Sequence, residues 1–181
     1  MSISAHAVRR AVVAVAASGA AVLSMTAASA AAHHERGLAG TPICSVARLR
    51  VSVGPGSGTA GAVVYPLRFT NLTRVTCHLN GYPGVAAVGR HGHQLGSPAS
   101  RDTLFRPRFV TLRRGATAHA DLTIEEAGNF PSRACRMRTA VGLRVYPPAS
   151  RGAAFVRLTF AACSRRGPSY LHVTAVHRGR G

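Results

Sequence analysis

Thr117-Ala118-His119-Ala120-Asp121-Leu122-Thr123-Ile124-Glu125 is the stretch that decides the fold. Its apolar residues Ala118, Ala120, Leu122 and Ile124 take every second position and oppose His119, Asp121, Thr123 and Glu125. A period of two sends alternate side chains to opposite faces of an extended chain, so the segment reads as a strand with one buried and one wetted face. The same alternation sets Val63, Tyr65, Leu67 and Phe69 against Val64, Pro66, Arg68 and Thr70, and sets Val156, Leu158 and Phe160 against Phe155, Arg157 and Thr159.

Working outward, short β-branched and aromatic runs separated by glycine and proline give further candidate strands. They are RLRVSV (48–53), VTCHL (75–79), GVAAV (84–88), RFVTLR (108–113), AVGLRVYP (140–147) and YLHVTAV (170–176). With 62–71, 117–125 and 153–160 these make about nine short strands, and no segment has the pattern of a long helix. Residues 97–103 have room for one helical turn. The expected fold is all-β: a disulfide-stapled two-sheet β-sandwich, immunoglobulin-like in architecture. Gly54-Pro55-Gly56-Ser57-Gly58 is expected to form a hairpin connection, while Asn80-Gly81 and Arg114-Gly115 mark reversals. Pro66 cannot donate to a ladder, which places it at an edge or a bulge. The last five residues, HRGRG, are expected to fray.

The N-terminus reads as an export signal. Arg9 and Arg10 precede the apolar run from Ala11 to Met25, and Ala28-Ser29-Ala30 is an A-x-A cleavage site. Cleavage after Ala30 is expected, with Ala32 the alternative. The run is interrupted by Ser18, Gly19 and Ser24, which argues against a spanning helix. The expected organisation is a cleaved signal peptide (1–30), a flexible leader (31–42) and a secreted β-sandwich domain (43–177), with no transmembrane segment in the mature form. The export route and the oligomeric state stay open.

The chain has 23 basic residues, 5 acidic ones and no lysine. Without Arg9 and Arg10, 21 arginines face 5 acids, a formal charge of +16. Such a field favours anionic partners, and an anionic cell-envelope polymer or another extracellular protein is expected. An arginine bias also arises from base composition, so charge alone does not make the surface functional. Specific nucleic-acid binding is not expected, because the clusters Arg101, Arg106, Arg108, Arg113, Arg114 and Arg133, Arg136, Arg138, Arg144 lack a recognition helix or stacking aromatics beside them.

Cys44, Cys77, Cys135 and Cys163 admit three pairings. Pairing of neighbours, Cys44 with Cys77 and Cys135 with Cys163, is preferred, and the bridges are expected to hold the facing sheets together. Their spacing lacks the close pairs of a zinc knot or a redox motif. No metal and no cofactor are expected. Asp102 and Asp121, in an arginine background, are expected to be ion-paired rather than catalytic. No G-x-S-x-G turn is present, so the chain is expected not to be an enzyme. The alternative is a secreted hydrolase, metal-assisted if His91, His93, His119 and Asp121 converge. Tyr82 and Tyr146, each followed by proline, are the candidate binding-loop residues.

At Tyr65–Asn71, Thr76–Val85 and Leu143–Pro148 the chain resembles a family of secreted actinobacterial proteins whose domain is labelled DUF4232, a domain of unknown function. Gln94–Ala99 and Cys163 share the likeness, which spans about residues 43–177. Its most specific block is Cys77-His78-Leu79-Asn80-Gly81-Tyr82-Pro83-Gly84. The resemblance implies a compact exported β domain, often carried on lipoproteins or beside a linker, and transfers no functional residue. This sequence shows neither a lipid-attachment cysteine nor a long Ser/Thr/Pro-rich linker, which favours release or loose retention by charge.

Overall fold

The computed structural model describes residues 40–181; the expected signal peptide and nearly all of the leader lie outside the described residues. The fold is all-β. Thirteen strands are formed among the described residues: β1 (Leu49–Val53), β2 (Ser57–Thr59), β3 (Ala62–Asn71), β4 (Cys77–Leu79), β5 (Gly84–Val88), β6 (Gln94–Leu95), β7 (Ser100–Arg101), β8 (Val110–Leu112), β9 (Thr117–Glu125), β10 (Met137–Tyr146), β11 (Ala154–Cys163), β12 (Leu171–Val173) and β13 (His177–Arg178). One helix of four residues, α1 (Ser132–Cys135), precedes β10.

Seven strands make one sheet, ordered β1-β3-β9-β12-β7, with β2 beside β3 and β13 beside β9. A second sheet runs β11-β10-β5-β6, and β4 pairs with β8 separately. All pairs are antiparallel except β12 with β7. The alternation of 117–125 is realised strictly: Ala118, Ala120, Leu122 and Ile124 are buried and the residues between them are not. With Leu67 and Phe69 they meet Val85, Ala87, Leu143, Val145 and Val156 of the second sheet in one core. Burial of two apolar sheet faces against each other is what makes the arrangement stable.

Pro66 occupies an interior strand, and the bulge explains why it is tolerated. Its carbonyl accepts the Gly54 N–H at 2.9 Å, so its ring nitrogen points to the same edge. There the pairing slips by one residue between Val53↔Leu67 and Ser57↔Val64. The missing donor therefore falls where the neighbouring strand is already broken. The Gly54–Gly58 segment is accordingly not the hairpin expected for it. It interrupts an edge shared by β1 and β2, and the reversal lies at Ala60-Gly61, where Gly61 has φ +75°.

Residues 97–103 hold β7 rather than a helical turn, because the open edge of β12 supplies a ladder for Ser100 and Arg101. The C-terminal residues do not fray. His177 and Arg178 pair with His119 and Ala118, and the Arg68 guanidinium donates to the Arg180 carbonyl at 2.6 Å. Pro42 is also tied in, its carbonyl accepting the His78 N–H at 2.9 Å.

The bridges are Cys44–Cys77 and Cys135–Cys163. Neither joins the two large sheets, contrary to expectation. The first ties the entry of the chain to the β4–β8 pair, and the second ties the end of α1 to the end of β11. Two glycines allow close packing: Gly142 lies beneath the Phe155 ring, and Gly96, at φ +64°, would drive a Cβ into the Cys163 carbonyl and against Tyr170. Tyr170 is fully buried and donates its hydroxyl to the Leu95 carbonyl at 3.2 Å, and burial holds the phenol well above its ordinary pKa.

Candidate functional site

The connection from β7 to β8 reads Asp102-Thr103-Leu104-Phe105-Arg106-Pro107-Arg108-Phe109, and every one of these residues is exposed, as is Arg101 before them. Leu104 is 76% exposed, Phe105 50% and Phe109 56%. Exposed large apolar side chains set this close together mark a surface that meets something. The loop is held in shape. The Asp102 carboxylate accepts the Leu104 N–H at 2.9 Å, closing a turn of the kind aspartate favours, and Pro107 fixes its own φ.

Tyr82 sits at the root of this loop. Its hydroxyl donates to the Phe105 carbonyl at 3.3 Å, and the Arg101 guanidinium lies over its ring, 5.5 Å from the centroid. Phe105 meets the His177 ring edge-on at 5.3 Å, and Phe109 meets His78 likewise at 5.1 Å. Between the loop and the C-terminal segment lies an open groove of about 470 Å³. Buried Val110 and Val176 form its floor, the two phenylalanines its wall, and Arg106, Arg108 and Arg178 its charged rim. No carboxylate lines it. Tyr146 belongs elsewhere: it ends β10 opposite Gly84 and is not part of the groove lining.

The expected pairing of Asp102 and Asp121 with arginine is not what forms. Asp102 is engaged with its own loop, and Asp121 lies 4.0 Å from the His119 Nε2. Among the described residues no arginine lies within salt-bridge distance of an Asp or Glu side chain; the contacts those carboxylates make to basic side chains there are to histidine. The positive charge of the loop is therefore not neutralised from within. Arg144 donates to the Gly92 carbonyl at 2.6 Å, while the carbonyl of Arg133 accepts from Arg165 at 3.0 Å.

The four residues of the metal-assisted alternative stay apart. His91 and His93 occupy the β5–β6 tip of the second sheet, with rings 6.3 Å apart, whereas His119 and Asp121 lie on β9 of the first. Among the described residues no group of three or more His, Cys, Asp or Glu side chains is placed to hold a metal.

A constellation that sequence reading missed lies across β7, β12 and β9. Ser100 Oγ is 2.7 Å from His172 Nδ1, and His172 Nε2 is 2.8 Å from Glu125 Oε1. With the Nε2–H tautomer the ring donates to the carboxylate and Nδ1 is free to accept from the serine, whose hydroxyl also has the Leu171 carbonyl as an acceptor at 3.4 Å. The parts are separated by 25 and 47 positions in the chain, and the β7–β12 and β12–β9 pairings bring them together. The chain of bonds pins the parallel edge strand to the sheet, and its order of donors is also that of a serine activated by a base.

The family model described as "Domain of unknown function (DUF4232)" matches residues 44–177. No curated protein and no solved structure matches the chain.

Proposed function

From its place in the DUF4232 family, to which the chain belongs, we propose that it is a non-enzymatic exported module that holds to an anionic surface of the cell envelope. The observation that carries this reading is the groove beside Tyr82, where Arg106, Arg108 and Arg178 rim an apolar floor without a carboxylate among them. Guanidinium groups match phosphate and carboxylate geometry and keep their charge at any physiological pH. Two disulfides and no free cysteine suit an oxidising compartment outside the cytoplasm. Polymer phosphates or an acidic extracellular protein would satisfy the same charges. The test is retention of the mature protein on isolated anionic envelope polymer as salt is raised, with elution expected as the charges are screened.

One observation favours a hydrolase instead, the Ser100–His172–Glu125 chain. In that reading His172 Nδ1 takes the hydroxyl proton as Ser100 attacks an ester or amide carbonyl. Against it, Ser100 lies on a regular edge strand rather than on a sharp turn that lifts a nucleophile clear. Incubation with a fluorophosphonate probe separates the two. A hydrolase gives an adduct on Ser100 that Ser100→Ala abolishes, and the binding module gives none.

A further inference from the structure

We propose that the Asp102–Phe109 loop is a membrane-interface anchor, seating Leu104, Phe105 and Phe109 in the headgroup layer of an anionic bilayer while Arg101, Arg106, Arg108 and Arg178 engage lipid phosphates. The inference rests on the envelope-binding reading and names the surface as lipid rather than soluble polymer. Charge alone does not distinguish those two, because both present phosphate. The apolar residues do.

A hydrated polyanion offers nothing to Leu104, which stands 76% exposed at the end of the turn closed by Asp102. A bilayer offers an apolar layer directly beneath its charged one, and the loop exposes both kinds of side chain together, Leu104, Phe105 and Phe109 beside Arg106 and Arg108. The segment Leu104-Phe105-Arg106-Pro107-Arg108-Phe109 interleaves the two chemistries, and interfacial segments combine basic residues with leucine and phenylalanine for this reason. The patch continues past the loop. Phe109 packs on His78, and His78 bridges Ile43, itself 50% exposed.

Charge complementarity favours anionic over neutral lipid. The one acid within the loop, Asp102, is turned onto the Leu104 N–H, and the guanidinium groups have no carboxylate partner. The loop is also preorganised by Pro107 and by the Tyr82 bond to the Phe105 carbonyl, which lowers the ordering cost of docking.

The experiment is co-sedimentation of the mature protein with vesicles of phosphatidylcholine alone and of equimolar phosphatidylcholine and phosphatidylglycerol. Retention on isolated anionic envelope polymer is measured in parallel, and thermal unfolding confirms that each variant is folded. Wild type is expected to pellet with the anionic vesicles and not with the neutral ones. Arg106→Gln with Arg108→Gln is expected to weaken vesicle binding roughly thirtyfold and to weaken polymer retention too. Leu104→Ser with Phe105→Ser is expected to weaken vesicle binding about tenfold or more while leaving polymer retention as in wild type. Polymer retention without vesicle binding, or vesicle binding indifferent to the Leu104/Phe105 variant, overturns the lipid anchor and leaves the envelope reading standing. Loss of both in the wild-type protein removes both.

Discussion

Replacing Cys44 and Cys77 together by alanine is expected to lower the unfolding free energy by about 3.5 kcal/mol, read as a fall in the urea midpoint. The bridge closes 33 positions of chain, and opening it returns to the unfolded ensemble the freedom that the crosslink removes. Both cysteines are fully buried beside Leu79 and Leu112, so truncation also leaves unfilled volume. A domain of this size has only about 5–15 kcal/mol in hand. Opening Cys135–Cys163, with its 28 positions, is expected to cost a similar amount, and full reduction should leave the domain marginal near physiological temperature. A change in midpoint worth less than about 1 kcal/mol would mean that the unfolded chain does not gain the freedom this argument requires.

Asn71→Leu is expected to cost about 2–4 kcal/mol despite the added apolar surface. Asn71 is wholly buried at the end of β3, and every hydrogen-bonding position of its amide is used. Its Nδ2 donates to the Val75 and Leu112 carbonyls at 2.9 Å each, and its Oδ1 accepts from the Thr73 N–H and hydroxyl, also at 2.9 Å. This one side chain joins β3, the end of β8 and the turn toward Cys77. Leucine leaves the Leu112 carbonyl buried without that donor, and nothing of the same shape replaces it. The check is equilibrium denaturation against wild type; a loss below about 0.5 kcal/mol, the range of an ordinary surface substitution, would show that water or a rearranged turn satisfies those groups.

The long strands were legible because period-two alternation is a direct imprint of a half-buried sheet. Residues 62–71, 84–88 and 117–125 form strands with the expected bounds. The pairing of neighbouring cysteines was also realised. The strands β2, β6, β7 and β13 have two or three residues each, too few to carry a period. They exist because β3, β5, β12 and β9 expose edges that any extended segment can complete. The apparent fraying of His177–Gly181 failed for the same reason, since composition says nothing about a waiting edge.

Site residues were legible by type and not by partner. Tyr82 lies beside the groove, yet its link to Arg101 and Phe105 depends on how the 101–109 connection folds back. Phe109 falls inside the expected strand 108–113, yet the observed strand begins only at Val110, and Phe105 lies outside every segment whose pattern reads as a strand. Asp102 was expected to seek arginine, but its own backbone two residues on is closer at hand than any guanidinium. Ser100, Glu125 and His172 carried no joint signal at all, because only tertiary pairing makes them neighbours.

The most direct measurement is retention on anionic envelope polymer as a function of salt, made on wild type and on the Arg106→Gln, Arg108→Gln, Arg178→Gln triple variant. Binding by unneutralised arginines is expected to fall steeply as the screening length shrinks from about 10 Å at 0.1 M salt to about 3 Å at 1 M, and the triple variant should elute well before wild type. Retention that is flat across that range, or equal in the two proteins, would contradict the assignment of this groove as the surface that holds the domain to the envelope.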